Sequence, residues 1–452
     1  MTKPRQGFRV LFVADSLYWV TATIAREIAA HNPWIEPTIC SEGVVRSLLE
    51  QGVDLPGRVD IAHFLTPHIG TRLLSTFRDR TPCITSIYHV EDERSVEAEP
   101  ASDAIMTICR QWHDHLVAIG ADAEKIVMLP MGINIEMFRP ARRDEKTRQR
   151  KKLGIPTDAV VVGFSAKKSS NTYNRKGSDT LVQAIAELSH RRPDVVLVMI
   201  GPGWGEVVEQ QTRLGVQCIH LPFLLEQEDV ARVHRCLDIF WVTARIEGGP
   251  VPLLEAMSSG TCCVTTPVGV APELIFDETN GFLVGFDDVQ AIVDRTERLV
   301  IDATLRSRMG ALARQTIVDR CRWEQTALAA RPLYEVALSR FQKRQPSSGN
   351  KQLPPTSLSP AASVGHLHAV PPELRSQVSA SEHRVFMDQL LSMGERRAAM
   401  RVGFRALAAC PQSRSVWRSV VRSTPLLPMK NLRESVRKRL RKVSGNTLHN
   451  SI

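Results

Sequence analysis

Short apolar runs alternate with helical patterns twice along this 452-residue chain, and that alternation constrains the fold more than any other feature. In the first third, strand candidates lie at 8–15, 60–66, 82–90, 104–109 and 125–130, with helical stretches at 21–31 and 44–51. After Pro140 a charged stretch, RRDEKTRQRKKLGIP, reads as a connection between units. The alternation then restarts with strands at 160–166, 195–201, 217–222, 238–244 and 262–267. Helices are expected at 179–190, 228–236 and 252–259, and a last helix over 323–340 is expected to close the second unit. This pattern predicts an α/β fold of two doubly wound, Rossmann-like units, each a parallel sheet covered on both faces. Ligands of such units bind at the carboxyl ends of the strands, which makes the cleft between the units the expected site.

The chain is too long for a single core, so several domains are expected. The boundaries predicted are 1–150 for a first Rossmann-like unit and 151–342 for a second. Residues 343–372 are rich in Pro and Ser and are read as a flexible linker, with a basic helical tail over 373–452. Nine cysteines are scattered without metal-ligand spacing, and Cys262 and Cys263 are adjacent in an apolar strand. Such neighbours point to opposite faces and suit buried, reduced thiols, which favours the cytosol. The start MTKPRQGFRVLFVAD runs into a strand with no leader-like cleavage site, and no apolar run approaches the roughly 18 residues of a membrane span. The net charge of +10 is concentrated after Ser381, where about fifteen Lys/Arg stand against four Asp/Glu. A near-neutral body with a basic appendage points to an acidic partner for that appendage alone.

The stretch RIEGGPVPLLEAMSSG (245–260) carries the chemistry. A strand ends near Ala244, a Gly-Gly-Pro turn follows, and a helix starts near Pro250 or Pro252, where a missing N–H is tolerated. Free N–H groups and the helix dipole make that turn an anion site, and Gly248 and Gly249 allow close backbone approach. Glu247 and Glu255 flank it and can accept hydrogen bonds from sugar hydroxyls. Phosphate and polyol recognition therefore meet in one segment. Two glutamates at this spacing alone would equally fit an ordinary helix start with a surface carboxylate.

Three further stretches change that weighting: LPMGINIEMFRP (129–140), NRKGSDTLVQAIAEL (174–188) and TTPVGVAPELI…NGFLV (265–284). In order and spacing, over about residues 8–340, the chain resembles the family 4 retaining glycosyltransferases, a group 1 family with the two-domain GT-B fold. The resemblance implies a hexosyltransferase-like enzyme without a cofactor or metal, taking a nucleotide-sugar donor and a glycan or lipid-linked acceptor in cell-surface polysaccharide synthesis. It implies that Glu255 holds the ribose, that Glu247 faces the donor sugar, and that the backbone from Gly248 through Gly249 and Pro250 to Val251 neutralises the diphosphate. Lys176 would add a point charge there, and His89, at the end of ITSIYHV, would stand near the acceptor and the reacting sugar. Front-face attack is implied, with the leaving phosphate taking the acceptor proton. The neighbouring Glu91-Asp92-Glu93 reads as a solvated acidic turn.

The chain departs from that pattern in two places. Where many relatives have a glycine pair after the first strand, it has Asp15-Ser16-Leu17-Tyr18-Trp19, expected to form the acceptor side. Where many carry an arginine opening the second domain, it has GFSAKKSSNTYNRKG, so Lys167, Lys168 or Arg175 would supply the second donor charge. GPGWG (201–205) fits a tight strand-to-helix turn better than a dinucleotide fingerprint. In the tail, Arg396, Arg397, Arg401 and Arg405 lie near Met400, Phe404 and Leu407, ahead of a basic run over 433–442. That pattern fits either an anionic membrane surface at the cytoplasmic leaflet or a helical add-on packed against the body. Nucleic acid is disfavoured, since no reader motif or interleaved aromatics occur. The rival readings are a GT-B sugar-nucleotide epimerase and a catalytically weak scaffold of a polysaccharide assembly complex.

Overall fold

Residues 7–91, 96–168, 175–345, 367, 369–409, 416 and 420 are described by the computed structural model. The first unit runs β1 (Phe8–Ala14), α1 (Val20–Ala30), β2 (Ile35–Ser41), α2 (Glu42–Glu50), α3 (Leu55–Arg58), β3 (Ile61–Phe64), α4 (Pro67–Phe77), β4 (Cys83–Ser86), β5 (Ala104–Thr107), α5 (Arg110–Ala118) and β6 (Ile126–Met128). Its six parallel strands follow the order β2-β1-β3-β4-β5-β6. The second unit runs α6 (Glu145–Leu153), β7 (Val160–Ser165), α7 (Ser178–Arg191), β8 (Val195–Ile200), α8 (Gly205–Arg213), β9 (Cys218–Leu221), α9 (Gln227–His234), β10 (Ile239–Val242), α10 (Val251–Ser258), β11 (Cys262–Thr265), α11 (Ala271–Leu274), β12 (Gly281–Leu283), α12 (Val289–Ile301) and α13 (Ala303–Arg320). Its strand order is β12-β11-β10-β7-β8-β9, again parallel throughout. Two doubly wound units are therefore present, as the alternation predicts. Cys262 and Cys263 are buried on opposite faces of β11, in separate apolar clusters.

Strand β2 is absent from the sequence reading because Pro37 interrupts its pattern. It lies at the sheet edge, where a missing N–H costs no ladder bond on the open side. A second difference concerns the last long helix, α14 (Trp323–Arg344). It does not close the second unit but crosses to the first, placing Ala330, Leu333, Tyr334 and Ala337 in the core shared with β1 and β5. The Tyr334 hydroxyl lies 3.3 Å from His63 Nδ1, and Arg344 pairs with Asp103 at 3.0 Å. Burial pushes the His63 imidazole down to about 3, so it sits in this core as a neutral ring.

The end of the expected linker is docked. Leu367 bridges antiparallel to Thr38 of β2, and the Ala369 N–H donates to Thr38 Oγ1 at 2.8 Å. Residues 346–366 and 368 lie outside the described residues. Helices α15 (Arg375–Ser392) and α16 (Arg396–Ala409) form a hairpin whose apolar faces enclose Phe386, Met387, Leu390, Val402 and Leu407. Leu407 is thus inside the hairpin and not on a membrane-facing side, while the four arginines of α16 are exposed. The rest of the expected helical tail after Ala409, with the basic run 433–442, falls almost wholly outside the described residues.

Glu382 of α15 is 5% exposed and accepts the Ser41 N–H at 2.6 Å. Burial raises its carboxyl from the usual 4.5 to about 7, with Arg26 opposing. The folded form therefore holds a proton that the unfolded form has already lost. The contribution of Glu382 to docking is greatest below about pH 4.5 and declines as pH rises through 7. Hydrogen exchange in α15 should accelerate over that window, and Glu382→Gln should flatten the dependence. An unchanged pH profile in the variant would refute the assignment.

Candidate functional site

In each sheet the strand order reverses beside a central strand, and the crevice at that point receives ligands. In the second sheet β7 and β10 flank the reversal, so the loops carrying Lys167 to Lys176 and Thr243 to Pro250 meet there. Residues 169–174 of the first loop lie outside the described residues. The Lys176 ammonium donates to Glu247 Oε1, and the two side chains are 20% and 11% exposed. Backbone contacts place the pair: Thr243 Oγ1 donates to the Lys176 carbonyl at 3.0 Å, and the Arg245 N–H donates to the Arg175 carbonyl at 2.8 Å. Gly177 follows at φ +60°, where a Cβ would collide with the Thr243 carbonyl, so only glycine lets this turn press against the strand end. Arg245 then ties Asp179 at 3.0 Å and Asp287 at 2.6 Å, which fixes the flank of the site.

Helix α10 begins at Val251, directly after Pro250, with Pro252 in its first turn. Its free N–H groups thus adjoin Glu247, as the sequence pattern predicts. The Gly-Gly turn has a further role. A Cβ on Gly248 would overlap the Tyr88 carbonyl of the first unit, and one on Gly249 would come within 2.9 Å of Ile108. What the missing side chains admit here is the other domain. Glu255 lies inside α10, its Oε2 3.2 Å from Nε2 of the fully buried His234. Lys176, Glu247, Pro250 and Ala166 line a small recess of about 20 Å³, room for about one water.

From the first unit, His89 reaches this region from the loop after β4, which ends at Ser86 and not at residue 90 as expected from the sequence. Its Nε2 lies 2.8 Å from Glu91 Oε1 and 3.1 Å from Arg175 Nη1, so one ring nitrogen serves the carboxylate or the guanidinium, never both at once. Arg175 Nε is 3.2 Å from the same Glu91 oxygen. Arg175 therefore bridges the cleft, whereas Lys167 points its ammonium toward the Trp19 ring, 5.8 Å from the centroid. The lysine loop is braced by the GPGWG turn, where Trp204 Nε1 donates to the Ala166 carbonyl at 2.7 Å. Asp92 and Glu93 lie outside the described residues.

Three cleft contacts were not legible in the sequence reading. Trp112 Nε1 donates to the Glu247 carbonyl at 2.7 Å, the Gly269 N–H donates to Gln111 Oε1 at 2.7 Å, and the Arg110 N–H donates to Glu273 Oε1 at 2.7 Å. All come from the first turn of α5; the first holds the glutamate segment to the first unit, and the other two hold the stretch after β11. The cue available was a run of polar side chains, CRQWH, just past a strand end. His234 was missed as well, because a buried partner of Glu255 leaves no periodic trace.

At the end of β1, Asp15 is exposed and accepts the Ser16 N–H at 3.0 Å and the Thr21 hydroxyl at 2.5 Å. Ser16 is buried. Tyr18 and Trp19 do not present open rings to the cleft: Tyr18 stacks on Phe386 at 4.0 Å and 8°, and Trp19 meets Phe386 and Phe223 edge-on. Among the described residues, no group of three or more His, Cys, Asp or Glu is placed to hold a metal ion, and no helix is long and apolar enough to cross a membrane.

Residues 145–316 match the family model for glycosyl transferases group 1. A D-inositol 3-phosphate glycosyltransferase of Xylanimonas cellulosilytica is 30% identical over 253 residues, 53% of this chain and 58% of the relative. A GDP-mannose-dependent monoacylated alpha-(1-6)-phosphatidylinositol monomannoside mannosyltransferase of Corynebacterium glutamicum is 30% identical over 43% of this chain and 52% of its own length. The chain thus spans little more than half the length of these curated relatives. Among solved structures, Anabaena HepE in complex with UDP and glucose superposes with a TM-score of 0.60 at 18% identity, covering 71% of this chain and 97% of that one. WaaG, a glycosyltransferase involved in lipopolysaccharide biosynthesis, gives 0.55 at 16% identity over 71% and 98%. The fold is that of the GT-B glycosyltransferases.

Proposed function

We propose that this chain, whose residues 145–316 carry a group 1 glycosyl transferase domain, moves a sugar from a nucleotide-sugar donor to a glycan or lipid-linked acceptor with retention at the anomeric carbon, as family 4 enzymes do. The observation that supports this best is the Lys176–Glu247 pair at the crevice of the second sheet, beside the free N–H groups of α10. An arriving diphosphate offers Lys176 a doubly charged partner, and the α10 N-terminus neutralises the same group. Glu247, released from the lysine, then accepts hydrogen bonds from the donor sugar. Glu255 holds the ribose. His89 faces the reacting centre from across the cleft, Arg175 stands on the donor side and reaches toward it, and Gly248 to Val251 bring backbone to the phosphates. As the sugar–phosphate bond breaks, negative charge grows on the leaving oxygen, where Lys176 and the helix dipole stabilise it. That oxygen takes the proton of the attacking hydroxyl, so atoms balance without a dedicated protein base.

A place in surface-polysaccharide synthesis, in the cytoplasm or peripherally at the inner membrane face, is proposed with it. The exposed arginines of α16 support the second location by charge alone, since their apolar neighbours are partly or wholly buried. Incubation with UDP-, GDP- and ADP-sugars tests the activity. Nucleotide release stimulated by a glycan or lipid acceptor is expected with at least one donor. Isomerised donor without acceptor would replace this reading by an epimerase, and no binding of any donor would replace it by a scaffold.

A further inference from the structure

Residues of both units meet the tail at one mouth of the cleft. From the first unit, Tyr18 and Trp19 pack on Phe386, and Trp19 Nε1 donates to Gln389 Oε1 at 3.3 Å. From the loop after β9 in the second unit, Phe223 and Leu225 enter the same apolar cluster. The Phe223 N–H donates to Glu395 at 3.3 Å, and Arg405 pairs with Glu226. Under this hairpin lies a cavity of about 650 Å³, within the roughly 300–1,000 Å³ of small-molecule sites. It shares no lining residue with the recess beside Glu247. Ala166 lines the recess, Lys167 follows it and faces the Trp19 ring, and Tyr18 lines the cavity.

We infer that this cavity is the acceptor site, that α15 is one of its walls, and that its ligand is an uncharged polyhydroxylated sugar. The inference rests on the transferase reading above. Carboxylates of Glu27, Glu226 and Glu228 line the cavity with the Glu382 carboxyl, which burial biases toward its protonated form, the single guanidinium of Arg26 and the imidazole of His383. Carboxylates accept hydrogen bonds from hydroxyls and repel phosphate, while Arg26 supplies a donor; His383, whose Nδ1–H donates to the Ser379 carbonyl at 2.7 Å, leaves Nε2 as a further acceptor. Leu17, Ile39 and Val378 add apolar surface for the C–H face of a sugar ring. Phe386 lies outside the lining and acts as a positioning residue, since it fixes Tyr18 by stacking. Aromatic residues occupy positions 18 and 19 because the tail packs on them, which gives the departure from the family's glycine pair a physical reason.

Ser379 lines this cavity from α15 and is only half-buried. In the full chain, Ser379→Trp should obstruct the cavity, and the milder His383→Ala should remove one acceptor. The readout is nucleotide release from the sugar donor the wild type accepts, alone and with neutral octyl glucoside, galactoside or mannoside, and separately with D-inositol 3-phosphate. Expected are stimulation by a neutral glycoside in the wild type and a rise in its KM of about tenfold in His383→Ala and more in Ser379→Trp. In His383→Ala the loss should fall on the acceptor KM, with kcat little changed. Stimulation by the anionic probe alone, by neither probe, or equally in wild type and both variants overturns the inference. So does a loss of hydrolysis in step with transfer in His383→Ala. A wild type that turns over no donor at all sinks the transferase reading instead.

Discussion

Lys176→Ala is expected to lower sugar transfer by about 10²–10³-fold, the scale set by removing one preorganised group from developing negative charge. The side chain sits at the crevice of the second sheet with its ammonium on Glu247, and no other described cation stands in the recess lining. Glu247→Ala should cost a similar factor for a different reason, the loss of the acceptor for donor-sugar hydroxyls. Lys176→Ala also leaves a carboxylate that is only 11% exposed without its cation. A stability loss of roughly 1–3 kcal/mol should accompany it, less than for a fully buried pair because both groups keep some contact with water. Kinetics with the true donor and acceptor, read beside thermal melting, separate the two effects. Near-wild-type transfer in both variants would end this assignment of roles.

Gly248→Ala should be nearly as damaging to transfer while leaving the second unit folded. Its new Cβ would meet the Tyr88 carbonyl, a backbone atom that has no rotamer to move into. The units must then part by something on the order of 1 Å, and misplacement of that size costs about 10²-fold. Gly249→Ala provides the internal control. Its Cβ would meet the end of the Ile108 side chain, which can yield, so about tenfold or less is expected. Donor hydrolysis and transfer, measured for both variants, test this. Equal effects of the two substitutions would show that interdomain closeness at Gly248 is not what matters.

Most of the strands were legible because a buried parallel strand is a short apolar run, and such runs are hard to mistake when they alternate with amphipathic helices. β2 escaped because Pro37 broke its run, although an edge position tolerates it. The destination of α14 was not legible either. Its apolar stripe of Ala330, Leu333, Tyr334 and Ala337 announces a buried face, but a stripe does not say which unit buries it. The core of the site divides in the same way. Glu247, Lys176 and Glu255 stand out through local motifs, whereas Trp112, Gln111 and His234 act through folded contacts between distant segments.

By itself the sequence determined two parallel, doubly wound units and the segment Glu247 to Glu255 at a strand end, since both are local patterns of polarity, glycine and proline. Only the tertiary structure decided that Gly248 serves the approach of the other unit, that Arg175 reaches across to His89, and that Tyr18 and Trp19 belong to the interface with the tail. Each of these depends on which surfaces meet after the chain has crossed between domains, and residues 86 to 368 positions apart leave no shared periodicity from which that meeting could be read.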